Sequence, residues 1–131
     1  MNRACAAVLP LFLFACGDKD SDSGAVAVDA SFEGIKADVL VPSCGFSSCH
    51  GAGAGGLTLD SDTTVEDLVG VDSVGKPGDT LVIAGDSAGS YLIQKMRDES
   101  GIEGTVMPQG GMLDEDIIAR VELWIDDGAN P

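Results

Sequence analysis

The chain is poor in aromatic and in basic residues. It has 131 residues with one Trp, one Tyr and four Phe, which leaves room for one small folded domain. Seven Lys and Arg stand against 22 Asp and Glu, a net charge of -15 at pH 7. This charge argues against binding to nucleic acid or to anionic lipid, because phosphate groups would repel it. It would suit a partner with a basic docking face, and it also favours solubility.

Only one histidine is present, His50, and it limits the chemistry that the chain can carry out. Residues 85–89 match the hydrolase pattern G-x-S-x-G around Ser87, but that triad needs a His after the Ser in chain order. His50 comes before it, so we expect Ser87 to cap a helix. A zinc site made of Cys44, Cys49 and His50 lacks an obvious fourth ligand other than a carboxylate, and adjacent Cys and His fit one tetrahedron poorly.

A glycine-rich stretch, "GAGAGG", matches the dinucleotide pattern G-x-G-x-x-G at Gly51, Gly53 and Gly56. That pattern has meaning only between a strand and a helix of a βαβ unit. Here it follows a cysteine-rich turn and leads into "LTLDSD". We therefore interpret it as a chance match in a glycine-rich loop.

No hydrophobic run is long enough to span a bilayer. The apolar run Ala4–Ala15 follows Arg3 and has the length of a secretory signal. Its end, "LFAC", resembles the lipobox of bacterial lipoproteins, which predicts cleavage before Cys16 and a lipid on that cysteine. An ordinary signal peptide cleaved elsewhere is the alternative. Gly17 weakly favours the outer membrane over the inner one.

Three regions follow from this interpretation. Residues 1–15 are the predicted signal peptide, residues 16–29 a flexible acidic tether, and residues 30–131 the folded domain. The protein is then exported and held by its lipid at a bacterial membrane, facing the periplasm or the cell surface. Cys44 and Cys49 remain after processing, and in an oxidising compartment they pair as a disulfide or are bound by a cofactor.

Hydrophobic periodicity predicts three helices separated by long loops. The first covers residues 31–41, with Ser31 as its cap and Pro42 as its end, and its expected buried face is Phe32, Ile35, Val39 and Leu40. The second covers residues 87–100, capped by Ser87 or Ser90. The third runs from Asp114 to Gly128. Its expected buried face is Ile117, Val121, Trp124 and Ile125. The intervening residues 64–70 are expected to form a short helical turn. Three helices with so much loop make a poor core, so we expect a large apolar cofactor between them.

The stretch "CGFSSCH" suggests which cofactor this is. A c-type haem needs two thiols and an imidazole directly after the second one, in the usual spacing C-x-x-C-H. Cys44, Cys49 and His50 keep that adjacency with a spacing two residues longer. The second axial ligand of such iron is commonly Met. Met107, in the glycine-rich loop "GTVMPQGG", is the predicted ligand, Met112 is the second candidate, and Met96 is expected in the core.

The order of these motifs resembles small c-type cytochrome domains of exported bacterial proteins. The resemblance rests on "CGFSSCH", "VMPQGG" and "LDEDIIARVELWIDDGA", and it covers roughly residues 30–129. It implies the all-α cytochrome c fold, in which the first and last helices cross and long loops wrap one haem. Cys44 and Cys49 would hold the haem, His50 and Met107 would bind its iron, and Trp124 would lie where the helices cross.

The prediction is thus an all-α, lipid-anchored carrier of single electrons with one haem c, and not an enzyme. It could also be the haem module of a separate redox enzyme. Its redox partner would present a basic face. The competing interpretation is a haem-free surface lipoprotein, a binding or structural module with a Cys44–Cys49 disulfide. If the first is correct, an apolar cleft should lie between His50 and Met107.

Overall fold

The computed structural model describes residues 29–131, and the regular elements in that range are helical. They are α1 (Phe32–Ile35), a π-helical segment (Lys36–Leu40), α2 (Val41–Cys44), α3 (Tyr91–Met96) and α4 (Glu115–Asp126). Short 3₁₀ turns occur at His50–Ala52, Ala54–Gly56 and Val65–Asp67, the last within the turn expected at residues 64–70. Residues 29–131 contain three isolated β-bridges and no strand. The prediction of an all-α fold is confirmed for this part of the chain.

The first helix is longer than predicted, because Pro42 does not end it. The segments α1, π and α2 follow one another with helical backbone angles at both junctions. In the π segment the N–H of Val41 donates to the carbonyl of Lys36, five residues back. This shift in register places Pro42 in the first turn of α2, where a residue without an N–H is tolerated. The helix therefore continues to Cys44.

The second helix is shorter than predicted, and it begins after Ser90. Ser87 is not its cap, since the N–H and hydroxyl of Ser87 both donate to the carboxylate of Asp126. Ser90 stands at the N-cap position, but its hydroxyl donates to the carbonyl of Asp86 and accepts from the N–H of Ile83. The side chain of Ser90 therefore anchors the preceding loop, and does not cap α3.

The third helix begins and ends where the sequence predicted. Asp114 is the N-cap residue of α4, and Gly128 follows its end with a φ of 103°. The buried face differs by one residue from the prediction, because Ile118 is buried and Ile117 is only partly so. Val121, Trp124 and Ile125 are buried as expected.

The core forms where α1 and α3 pack against α4. The rings of Phe32 and Trp124 lie 5.4 Å apart between centroids, and the Trp124 indole N–H donates to the carbonyl of Asn130 at 2.8 Å. Met96 is buried from α3, as predicted. The core is completed by buried residues from the helices and the central loops: Ile35, Val39, Leu40, Leu59, Val65, Leu68, Val82, Ile93, Ile118, Val121, Ile125 and Ala129.

Two arginines form ion pairs between helices at the surface of the domain. Arg97, just after α3, binds Glu115 at 2.8 Å and Glu122 at 2.5 Å, both on α4. Arg120 on α4 binds Asp38 of the π segment at 3.0 Å. Each arginine thus joins α4 to a different helix.

Candidate cofactor-binding site

The loop that carries the two cysteines and the histidine is a tight turn at the end of α2. Its centre is the carbonyl of Phe46, which accepts the N–H of Cys49 at 2.8 Å and that of Gly51 at 3.0 Å. Gly45 and Gly51 approach so closely that a side chain on Gly51 would lie 2.2 Å from the Gly45 oxygen. Glycine is therefore required at both positions by packing.

The two cysteines lie on the wall of one cavity. Cys44, the last residue of α2, is 8% exposed, and Cys49 is partly buried. Both thiols are free. Burial, with a smaller contribution from Cys49, raises the pKa of the Cys44 thiol to about 11. Cys44 is therefore a protonated, weakly nucleophilic thiol at neutral pH.

His50 is held in a definite orientation by the glycine-rich segment that follows it. Its Nδ1 lies 3.1 Å from the carbonyl oxygen of Leu57. A carbonyl oxygen only accepts hydrogen bonds, so Nδ1 is the donor in this contact, and in the Nδ1–H tautomer Nε2 is left free to bind a metal. The N–H of Leu59 in turn donates to the carbonyl of His50 at 3.0 Å. A ring oriented by such a bond from its other nitrogen is the usual form of a metal-binding histidine.

The expected cleft between His50 and Met107 is present. A cavity of about 720 Å³ is lined by both residues, and also by Cys44, Cys49 and Met112. The rest of its wall is largely apolar and includes Leu57, Leu59, Leu81, Leu92, Met96, Pro108 and Leu113. A cavity of this size and character lies within the range of roughly 300–1,000 Å³ found for cofactor sites.

The three methionines in the described range have different environments. Met96 is 1% exposed and belongs to the core, although it also touches the cavity. Met107 is partly buried, and its N–H donates to the carbonyl of Lys95 at 2.9 Å. Met112 is 62% exposed at the cavity rim. Of the two candidates for an iron ligand, Met107 is the one whose backbone is fixed to a helix.

Two side chains that were not predicted as part of the site hold the loop around Met107, residues 103–107, in place. The hydroxyl of Tyr91 accepts the N–H of Glu103 at 3.0 Å, and Lys95 Nζ donates to the carbonyls of Glu103 and Thr105. Both side chains come from α3. The only signal in the sequence is their spacing of one helical turn, which looks the same as ordinary helix patterning.

The zinc pattern and the dinucleotide pattern can be compared with the structure. Among residues 29–131, no three side chains of His, Cys, Asp or Glu come together in the way a zinc ion needs. The glycine-rich stretch forms 3₁₀ turns, with Gly53 and Gly56 at φ 76° and 77°. It follows a helix and a turn, not a strand.

The predicted signal peptide (1–15), the predicted lipidation site Cys16 and the predicted tether as far as residue 28 lie outside the described residues. In residues 29–131, no helix is long and apolar enough to cross a membrane. Comparisons with protein-family models, with curated proteins and with solved structures yielded no match for this chain.

Proposed function

We propose that the chain is an electron-transfer protein with one covalently attached c-type haem. The observation that supports it best is the shared cavity, which collects two free thiols, an imidazole with Nε2 free to bind a metal and a methionine side chain. These four groups are the donor set that a haem c with His/Met ligation requires. The residues present therefore fit this cofactor.

Each residue would have a distinct task. Cys44 and Cys49 would hold the porphyrin through thioether bonds, and His50 and Met107 would bind its iron. The cofactor would supply a single reversible electron, with no bond made to a substrate. The hydrogen bond from His50 to Leu57 would keep the imidazole orientation constant, and the apolar leucines would exclude water from the site.

The electron would pass through the open side of the cavity. Three exposed apolar side chains, Phe46, Val74 and Met112, stand at its rim with exposures of 58%, 68% and 62%. Asp72 and Glu103 lie along the same wall and are exposed. An anionic rim around an apolar opening favours a redox partner with a basic docking face.

The place of action is proposed from the sequence alone. Cleavage before Cys16 would leave 6 basic and 22 acidic residues, because residues 1–15 contain Arg3 and no acid. The protein would then be an exported lipoprotein of net charge -16, anchored at the membrane and exposed to the periplasm or the cell surface. Attachment to a separate redox enzyme, as its haem module, is compatible with the same site.

The test is the visible spectrum of the full chain, made in the periplasm of a host with a cytochrome c maturation system. A sharp absorption band of the reduced protein that survives acid–organic extraction would establish covalent haem. A colourless protein with a Cys44–Cys49 disulfide would refute the proposal and leave the haem-free lipoprotein.

Two matched variants then identify the distal ligand. Met107→Ala is expected to lower the reduction potential and to abolish the weak red absorption of a sulfur–iron bond, since thioether ligation raises the potential. Met112→Ala is expected to leave both unchanged. If Met112→Ala lowered the potential and abolished the absorption while Met107→Ala did not, Met112 would be the distal ligand.

A further inference from the structure

Lys95 differs in its hydrogen-bond partners from the other Lys and Arg side chains of residues 29–131. Lys36, Lys76, Arg97 and Arg120 each form an ion pair with a carboxylate. Within residues 29–131, Lys95 is the one basic residue without such a pair. Its ammonium group donates instead to the main-chain carbonyls of Glu103, at 2.7 Å, and Thr105.

These contacts fasten the loop that carries Met107. The side chain of Lys95 holds the loop at Glu103 and Thr105, and the carbonyl of Lys95 accepts the N–H of Met107 at 2.9 Å. One residue of α3 thus binds the five-residue segment 103–107 at three points. Burial lowers the pKa of Lys95, against the opposing charges of Asp98 and Glu103.

The loop around Met107 is rich in glycine and has few internal contacts that restrict its conformation. Gly101, Gly104 and Gly110 all have positive φ, at 96°, 73° and 100°, and a side chain added at any of them would find open space. Such a glycine-rich segment gains little from packing and keeps much conformational freedom. Its geometry at Met107 therefore depends on bonds from outside the loop.

We propose that Lys95 is a positioning residue that holds Met107 at the cavity. This inference rests on the proposed function for its meaning, because Met107 matters as an iron ligand. Hydrogen bonds that involve a charged group are stronger than neutral ones, so the ammonium group is suited to restrain two carbonyls of a flexible loop. The side chain of Lys95 also lines the cavity, but its ammonium group bonds the two carbonyls and so acts on Met107 through the backbone.

The test compares Lys95→Met with Lys36→Met in the full chain. Met has similar length and no charge. Lys36 is the control, because its ammonium likewise bonds a loop carbonyl, that of Thr63, away from the cavity, with the carboxylate of Glu33 as its second partner. Amide hydrogen exchange of Glu103–Met107, followed by NMR, reports the loop directly. The sulfur–iron absorption of the oxidised protein reports the ligand.

We expect Lys95→Met to speed exchange of the Met107 amide by about tenfold to a hundredfold, the effect of losing such hydrogen bonds. The sulfur–iron absorption is expected to weaken while the covalent haem content stays the same. Lys36→Met is expected to change neither the exchange rate nor the absorption. Lys95→Arg keeps the charge and the donors, so its exchange rate and absorption are expected to stay near those of the wild type. Lys95→Gln is measured as well, because it adds no thioether to the cavity that Lys95 lines and its shorter amide cannot reach both carbonyls. It also replaces Lys95→Met if that variant does not fold.

Equal exchange rates and equal absorption in Lys95→Met and Lys36→Met would overturn the role of Lys95 and leave the proposed function intact. A wild-type protein without haem would refute the proposed function instead. In that case the exchange rates of the colourless protein still decide whether Lys95 fixes the loop.

Discussion

Replacing Gly51 by Ala tests whether the cysteine–histidine turn is built as described. The new Cβ would lie 2.2 Å from the carbonyl oxygen of Gly45 and 2.9 Å from that of Phe46. Both are backbone atoms, so no side-chain rotation relieves the contact. The Phe46 oxygen also accepts the N–H bonds of Cys49 and Gly51. Any movement that makes room therefore disturbs the position of His50.

The cost of this substitution follows from the type of contact. Overpacking costs about 1–3 kcal/mol, and we expect about 3 kcal/mol here because the obstacle is the backbone. In a domain of about 100 residues, each kcal/mol lowers the Tm by roughly 4–8 °C. Gly51→Ala is thus expected to lower the Tm by roughly 12–24 °C and to reduce haem loading.

The assay is thermal and urea unfolding followed by circular dichroism, with haem content measured on the same samples. Gly111→Ala is the control, since it also lies by the cavity, has no left-handed φ and would meet no atom within 4 Å. It is expected to stay within about 0.5 kcal/mol of the wild type. A Gly51→Ala protein as stable as Gly111→Ala would refute the close approach of Gly45 and Gly51.

Two further predictions concern charge and thiol chemistry. Hydrogen bonding to Arg97 lowers the pKa of Glu115, so its contribution to stability is present above about pH 4.5 and is lost as the pH falls through the folded-state value. Arg97→Met is therefore expected to destabilise the protein at pH 7 and to show a smaller further loss on acidification, measured by urea unfolding at pH 7 and pH 3; parallel pH profiles for variant and wild type would contradict this. In the haem-free chain, we expect Cys49 to be alkylated faster than Cys44, because burial raises the Cys44 pKa from 9.0 to about 11 and so cuts its thiolate fraction about a hundredfold. Mass spectrometry after brief iodoacetamide treatment measures the order of labelling, and faster labelling of Cys44 would show that it is not buried.

Helix periodicity predicted the parts of the fold that depend on local pattern. Phe32, Ile35, Val39 and Leu40 are buried on one face of the first helix as expected, and α4 lies between its predicted cap and its terminal glycine. These features follow from side-chain spacing and capping, which are properties of neighbouring residues.

What the sequence did not predict depends on long-range contacts. Ser87 looked like a helix cap, but its bonds go to Asp126, which is distant in the chain. The limits of α3 and the restraint of the Met107 loop by Lys95 likewise depend on partners from other segments. The candidate site was predictable as a set of residues, because the adjacent Cys and His are a local motif. The bond between His50 and Leu57, which sets the ring orientation, was not.

The π-helical segment Lys36–Leu40 determines the direction in which Cys44 points. A π turn holds one residue more than an α turn would hold at the same place. If the same residues formed a regular α-helix instead, everything after them would be rotated by about 100° around the axis, the angle of one residue. Cys44 would turn away from the cavity, and Pro42 would fall in the interior of a continuous α-helix, where its ring clashes with the preceding turn. The one extra residue in the π turn thus decides whether the Cys44 thiol faces the cavity.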